Sequence, residues 1–338
     1  MTKSSSTIEK CRFDFIGWYH VTLLTMGLVI ILINASVFMF IKTSRILKRN
    51  AGNFILMGLS LVDLLTGFHA VYHVIPTYYF MTVDTCDNNL FDAYNNAGFL
   101  LGKICLLGSI GHLLLLAGER MIGLFRPIRS KIIVTKNSVV FLTVLVWLVS
   151  ICMPLIELTY RGSSNRDFYN RIHVMITIIG FWMFPAFLLF IQYVAMLLLI
   201  YKFQQGRREA GIQMKGVVLK YKAFFIYLAM FVSFLVSCSP HFAVRIIIAF
   251  TDQFSRLSKD LLGVIVIFRY IPSLVNPILY AFFKRDFQET LSKTMTRKRN
   301  NLKEPRYSPS WLKRSSLDSR LSKNSKNTEQ CELIDVNL

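Results

Sequence analysis

Acidic residues are scarce in this chain, cysteines scarcer still, and no segment carries a signature of covalent chemistry. Only 19 Asp and Glu stand against 39 Lys and Arg in 338 residues, and charged residues as a class make up 17%. A soluble domain usually carries about 25%. Six cysteines give no disulfide framework, because Cys105, Cys152 and Cys238 fall inside apolar runs, where a thiol acts as a small packing group. The chain has no G-x-S-x-G, no H-E-x-x-H and no phosphate loop, which sets aside the nucleophilic hydrolases, zinc peptidases and nucleotide-driven enzymes. Residues 1–14 are polar and lack the apolar core and small-residue site of a cleaved leader.

What the chain has in quantity is apolar length. Hydrophobic residues are 54% of the total and aromatics 14%. Seven stretches reach the roughly 20 residues that a bilayer core requires: 16–41, 54–80, 97–118, 139–158, 173–201, 223–250 and 261–283. They predict an all-α membrane protein, a bundle of seven transmembrane helices over 16–283 behind a segment at 1–15. Lys42, Arg45, Lys48 and Arg49 follow the first helix, Arg126, Arg129, Lys131 and Lys136 the third, and Lys202, Arg207, Arg208, Lys215, Lys220 and Lys222 the fifth. The loop after the second helix has Asp84, Asp87 and Asp92 and no basic residue. The positive-inside bias then puts the N-terminus outside and the C-terminus in the cytoplasm, in a multi-pass protein of the plasma membrane. The formal charge of +20 reads as topology and attraction to the lipid bilayer, not as a nucleic-acid surface. Residues 284–295, with Phe287 and Leu291 at helical spacing, predict an amphipathic helix on the inner membrane surface. Residues 296–338, rich in Lys, Arg, Ser and Asn, predict a disordered tail.

A few polar residues interrupt the apolar runs. Asp63 in the second helix is an intramembrane carboxylate and needs partners, for which Asn34, Ser109, Ser273 and Asn276 are placed in neighbouring helices. Such a set is either a structural hydrogen-bond network or a hydrated site for a hard monovalent cation. Glu119 and Arg120 stand at the inner end of the third helix. The run Asn276-Pro277-Ile278-Leu279-Tyr280 breaks the last helix with a proline that deletes a backbone donor, which reads as a hinge.

Taken together these residues resemble the rhodopsin-like G-protein-coupled receptors, of which this chain is identified as a divergent member. The resemblance runs from Asn34 to Phe287. Asn34 matches the helix-one asparagine, Asn53 with Leu59 and Asp63 the N-x(5)-L-x(3)-D pattern, and Glu119-Arg120-Met121 the D/E-R-Y triplet. Trp147, Pro185 with Tyr193, and Pro240 match the markers of helices four, five and six, and Asn276 to Tyr280 with Phe287 the N-P-x-x-Y-x(5,6)-F signature. Ile110, Phe234 and Pro185 reproduce the family's connector. The resemblance implies a two-state receptor in which a ligand outside swings helix six outward about Pro240. That motion opens a cleft lined by Arg120, Tyr193 and Tyr280 for a heterotrimeric G protein, with arrestin as a further partner. It also implies no organic cofactor, and an allosteric sodium ion held by Asp63, Ser109, Ser273 and Asn276.

The chain departs from the family in three places, and two further positions bear on the ligand. Asn95 stands where a disulfide cysteine is usual, and the loop over 160–173 has no cysteine; Cys11 and Cys86, both expected outside, are candidates for a substitute bond, and the sequence leaves open whether they pair. Cys238 replaces the helix-six tryptophan. Lys220 stands where an acidic partner of Arg120 is usual, so the helix-three to helix-six ion pair is expected to be missing and basal signalling appreciable. Gly102 and Tyr270 stand where amine receptors carry an aspartate and opsins a lysine, which disfavours amines and excludes a retinal Schiff base.

The outer halves of the helices instead carry Lys103, His241, Arg245 and Arg269, with His69 and His73 on one face of helix two. Buried cations need anions. They either snorkel outward or pair with Glu157, Asp252 or Asp260, or, with Gly102 and Tyr270, form a pocket for an acidic ligand or a peptide with an acidic end. The competing classes are a receptor-fold protein that does not couple to G proteins, and a transporter. A transporter would show paired repeats, which the chain lacks.

Overall fold

The structure, a computed structural model, describes residues 17–82, 88–160, 164–209, 215–251 and 258–303. Cys11, Cys86 and Asp252 lie outside the described residues, and so does the candidate disulfide of the two cysteines. Eleven α-helices are described: α1 (Gly17–Thr43), α2 (Ala51–Thr82), α3 (Asn88–Phe125), α4 (Pro127–Ile133), α5 (Lys136–Tyr160), α6 (Arg166–Ile178), α7 (Phe184–Glu209), α8 (Lys215–Phe250), α9 (Lys259–Phe268), α10 (Ile271–Phe283) and α11 (Arg285–Lys303). They supply seven spans long and apolar enough to cross a membrane, with no strand among the described residues.

Two of the seven spans are interrupted, and proline explains both. The fifth is α6 and α7 joined by a π-helical turn at Ile179–Met183. Pro185 follows that turn and has no N–H to offer the preceding carbonyl ladder, so the helix widens locally to accommodate it. The seventh, expected to be continuous over 261–283, breaks between α9 and α10 at Arg269 and Tyr270. Pro272 cannot donate to the carbonyl of Phe268, and the break sets Arg269 at the foot of α9.

Small residues let α1 and α2 lie close. A Cβ on Gly27 would come within 3.0 Å of Ala70 Cβ and the Gly67 carbonyl, and one on Gly67 within 2.9 Å of the Gly27 carbonyl. In lipid, where no hydrophobic effect drives helices together, such contact is a main source of packing energy. The bundle encloses a core of Leu56, Leu59, Ile110, Leu113, Leu116, Tyr193, Met230, Phe234 and Tyr280, all buried. Many apolar residues of α5 and α7, among them Phe141, Leu148, Phe187 and Phe190, are exposed, as a lipid-facing surface requires.

The helix expected over 284–295 starts at Arg285 and continues to Lys303, eight residues further than the amphipathic pattern alone implied. The chain divides into one compact unit ending at Gln288 and a second from Glu289. The second is described only as the remainder of α11.

Candidate functional site: outer cavity, polar core and inner cleft

At the end of the bundle that carries Tyr19, a cavity of about 430 Å³ opens between α1, α2, α3, α8 and α9. Gly102, Lys103, His241, Arg245 and Arg269, the residues proposed from sequence, line it beside His69 and His73. The rest of the wall is largely apolar, including Phe99, Leu106, Val244, Ile248 and Val266. A volume in this range suits a small ligand held by an apolar body and a few polar anchors.

Arg269 is positioned by the break in its helix. Its Nη2 donates to His69 Nδ1 at 3.1 Å and to Tyr270 Oη at 3.2 Å, and its guanidinium carbon lies 5.2 Å from the Tyr270 ring centroid. Tyr270 Oη in turn donates to His69 Nδ1 at 2.8 Å. A guanidinium only donates, so Nδ1 of His69 is an acceptor and the ring proton sits on Nε2. That proton is shared between the Gly98 carbonyl at 3.0 Å and His73 Nε2 at 3.1 Å. His69 is therefore a neutral bracket between α2, α3 and the foot of α9. Gly102 makes this possible: a Cβ there would lie 2.8 Å from His69 Nε2 and 3.3 Å from Arg269 Nη2.

The structure sorts the outer cations. Lys103 forms a salt bridge with Glu157, one of the arrangements the sequence left open for it. Asp260 accepts from Trp18 Nε1 at 3.1 Å. Among the described residues, neither Arg245 nor Arg269 belongs to an ion pair. Tyr270, expected on the cavity wall, is fully buried beneath it and hydrogen-bonds to Arg269 and His69.

Below the cavity a space of about 20 Å³ is lined by Ser109, Phe234, Cys238 and Ser273 together with His69 and Arg269. That is room for one water molecule, in the place where the thiol of Cys238 stands in for a larger side chain. Beneath it lies the polar core. Asp63 is fully buried and accepts from Ser273 Oγ at 2.7 Å and from Asn276 Nδ2 at 3.0 Å. Asn34 does not reach Asp63: its Nδ2 donates to the carbonyls of Ile30 and Ser273, each at 3.0 Å, tying α1 to the backbone of α10. Ser109 is buried but makes no hydrogen bond to Asp63 among the described contacts. Three buried oxygens, Asn34 Oδ1, Asn276 Oδ1 and Tyr280 Oη, have no hydrogen-bond partner.

Connector residues Ile110, Phe234 and Cys238 are buried in the core cluster. Pro185 is buried as well, and Pro240 lies inside α8. Sequence reasoning missed Trp182, whose ring lies 4.6 Å from that of Phe242, one turn above Cys238. It supplies a helix-five aromatic near the place where the helix-six tryptophan is missing.

At the opposite end, Arg120 Nε lies 3.0 Å from Glu119 Oε2, and Nη2 donates to Tyr227 Oη at 3.0 Å. The guanidinium carbon also sits 5.0 Å from the Tyr227 ring centroid. An ion pair between α3 and α8 was expected to be missing; a neutral tie occupies its place. Tyr227 lies seven residues, about two helical turns, beyond Lys220, whose side chain is outside those described. A cleft of about 200 Å³ is lined by Glu119, Arg120, Tyr193, Phe224 and Tyr227. Tyr280 does not line it. Its ring is fully buried against Phe287, with centroids 5.7 Å apart.

Comparison with known proteins agrees with this architecture. A family model described as "7 transmembrane receptor (rhodopsin family)" matches residues 33–280. The histamine H2 receptor of Cavia porcellus is 22% identical over 312 residues, covering 84% of this chain and 82% of that protein. The histamine H2 receptor of Homo sapiens is 21% identical over 262 residues, covering 71% and 69%. Among solved structures, a crystal structure of squid rhodopsin superposes with a TM-score of 0.68 at 15% identity, over 84% of this chain and 87% of that one, which marks a shared fold.

Proposed function

Because the chain belongs to the rhodopsin family of seven-transmembrane receptors, we propose that it converts binding of an extracellular anionic ligand into activation of a cytoplasmic heterotrimeric G protein. It is a membrane receptor and not an enzyme. The observation that carries the ligand class is the pair of arginines on the cavity wall, Arg245 and Arg269, neither in an ion pair among the described residues. Desolvated guanidinium groups are costly without an anion and match a carboxylate or phosphate in fork geometry. The relatives named for histamine do not transfer their ligand. Glycine at 102 and the cations around it offer an ammonium repulsion in place of a counter-charge.

The basic loops put the Arg120 end in the cytoplasm and the cavity outside, in the plasma membrane. An acidic head at Arg269 competes with His69 and Tyr270 for the guanidinium, at the break in the seventh span. It shifts the population only by binding the active arrangement more tightly than the resting one. The space beside Cys238 and the bonds of Ser273 and Asn276 to Asp63 lie between that break and the inner end of α10, which carries Tyr280. On activation α8 swings about Pro240, Tyr227 leaves Arg120, and Tyr280, whose hydroxyl has no partner where it lies, turns toward the cleft. Glu119, Arg120 and Tyr193 then meet the G protein, and arrestin competes for the same face.

A sodium ion fits the polar core by its chemistry. Asp63 supplies one negative charge, and Asn34 Oδ1 and Asn276 Oδ1 are buried oxygens with no donor. With hydroxyls of Ser109 and Ser273 these are hard ligands for a monovalent ion. Bound there, the ion would favour the resting arrangement by holding α2 and α10 together.

The test is nucleotide exchange on purified G proteins by the receptor in nanodiscs, with a ligand panel divided by charge. Anionic compounds raise exchange and cationic amines do not. A response confined to amines, or one to anions that survives Arg245→Ala combined with Arg269→Ala, overturns the reading. Binding without exchange on any G protein would mark a receptor fold that does not couple.

A further inference from the structure

The Lys284 side chain is a buried cation that none of the preceding steps uses. It caps α10, is 8% exposed, and donates to Asn53 Oδ1. Asn53 is fully buried and donates to the Leu47 carbonyl at 2.9 Å, in the turn between α1 and α2. Two residues beyond Lys284, Asp286 Oδ2 accepts from Asn50 Nδ2 at 3.1 Å. Asn50 Oδ1 accepts from the Gly52 N–H, also at 3.1 Å. The junction between α10 and α11 thus grips one turn of chain twice, by a cation on Asn53 and by a carboxylate on Asn50.

Simple packing does not account for a lysine here. An ammonium has three donors, and the partners described for this one are an amide oxygen and the face of Phe287, 5.7 Å from Nζ. Lys284 forms no ion pair among the described residues. A neutral amide would make the same bond to Asn53 without desolvating a charge, a cost of several kcal/mol per ion. The position also has reach. Phe287 packs on Tyr280 and on Phe40.

We propose that Lys284 and Asp286 form a latch that holds the α10–α11 junction on the turn between α1 and α2 in the silent receptor, and that this latch sets its basal activity. Both are positioning residues: they act through Phe287 and Tyr280 and touch no ligand. One of the two readouts rests on the G-protein reading above; the other does not.

The experiment uses the full chain in nanodiscs with no ligand added. Lys284→Met removes charge and donor, Lys284→Arg keeps both, and Asp286→Ala releases Asn50 at a partly exposed position. Hydrogen–deuterium exchange across residues 44–53 should rise several-fold in Lys284→Met and in Asp286→Ala and stay near the parent in Lys284→Arg. Basal nucleotide exchange should rise about three- to tenfold in Lys284→Met and in Asp286→Ala, a population shift of about 1 kcal/mol. If Lys284→Met does not fold, Asp286→Ala still decides the question, because it opens the same turn through the second grip and leaves the buried ammonium in place. Amide exchange unmoved in Asp286→Ala overturns the latch. Amide exchange that rises in both variants while nucleotide exchange stays at mock in every receptor, the parent included, overturns its link to signalling and the G-protein reading with it.

Discussion

The inner and outer halves of the bundle handle charge in opposite ways. In the inner half Arg120 has Glu119 beside it and Tyr227 across from it, and each oxygen of Asp63 accepts a hydrogen bond, from Ser273 and from Asn276. Lys284 at the boundary is held by Asn53 without an ion pair among the described residues. In the outer half Lys103 has its own glutamate, but the hydrogen bonds described for Arg269 go to the neutral His69 and Tyr270, and Arg245 has no ion pair among the described residues. A satisfied charge stores a conformation, because moving it exposes two unpaired groups. A cation that is held only by neutral dipoles and also lines a cavity, as Arg269 does, is ready for a partner of opposite sign that enters it. The difference assigns switching to one half and recognition to the other.

The strongest way to break that division is to remove the recognition charge. Arg269→Ala should lower the potency of an anionic agonist by at least about a hundredfold, since hydrogen bonds to a charged group contribute about 1.5–3 kcal/mol each and a guanidinium makes two. Arg269→Lys keeps the charge but loses the fork and should cost about tenfold. Dose–response curves at matched surface expression decide it. Wild-type potency in both variants would make Arg269 a structural residue like those below it.

The inner half makes two smaller predictions. Asp63→Asn removes the only carboxylate described in the core. Agonist affinity that falls about tenfold when sodium replaces a large organic cation in the parent should lose that dependence in the variant. A sodium effect of equal size in both would empty the proposed site. Tyr227→Phe deletes the hydrogen bond to Arg120 while keeping the ring beneath its guanidinium. Basal nucleotide exchange should then rise about three- to fivefold, and an unchanged level would show that the tie between α3 and α8 rests on the ring alone.

Much of the fold was legible because the bilayer imposes it. Runs of apolar residues had to be helices, and the polar exceptions Asp63, Ser273 and Asn276 had to find one another. Departures from the expected spans sit where an apolar run hides a backbone event. The π turn before Pro185 and the break at Arg269 and Tyr270 interrupt stretches that read as continuous, although Pro185 and Pro272 were there to mark them. Tyr227 was within reach of sequence reasoning: with a lysine and not a carboxylate at position 220, a partner for Arg120 two turns along the same helix was the next place to look. The bracket of His69 on Arg269 was not, since 200 residues separate them and no local pattern links them. Gly102 was read for the counter-ion it excludes, whereas the structure gives it a steric role that only the approach of His69 reveals.

The smallest expected effect concerns the boundary of the inner half. Burial pushes the Lys284 ammonium below the ordinary lysine value of 10.5, and Arg120 adds to that, while Tyr227, Asp286 and Glu119 oppose it. Between the depressed folded value and 10.5 the folded receptor therefore binds fewer protons at Lys284 than the unfolded chain. Stability must rise with pH through that window, by at most about 1.4 kcal/mol per pH unit. Thermal midpoints of the purified receptor, followed upward from neutral pH, should accordingly show a positive contribution that is absent in Lys284→Met, so that the difference between parent and variant shifts in the parent's favour as pH increases. A difference that stays constant to pH 10.5 would mean that Lys284 has the same affinity for its proton folded and unfolded. The boundary lysine would then be solvated like a surface charge, and the inner half would end at Tyr280 and not at the latch.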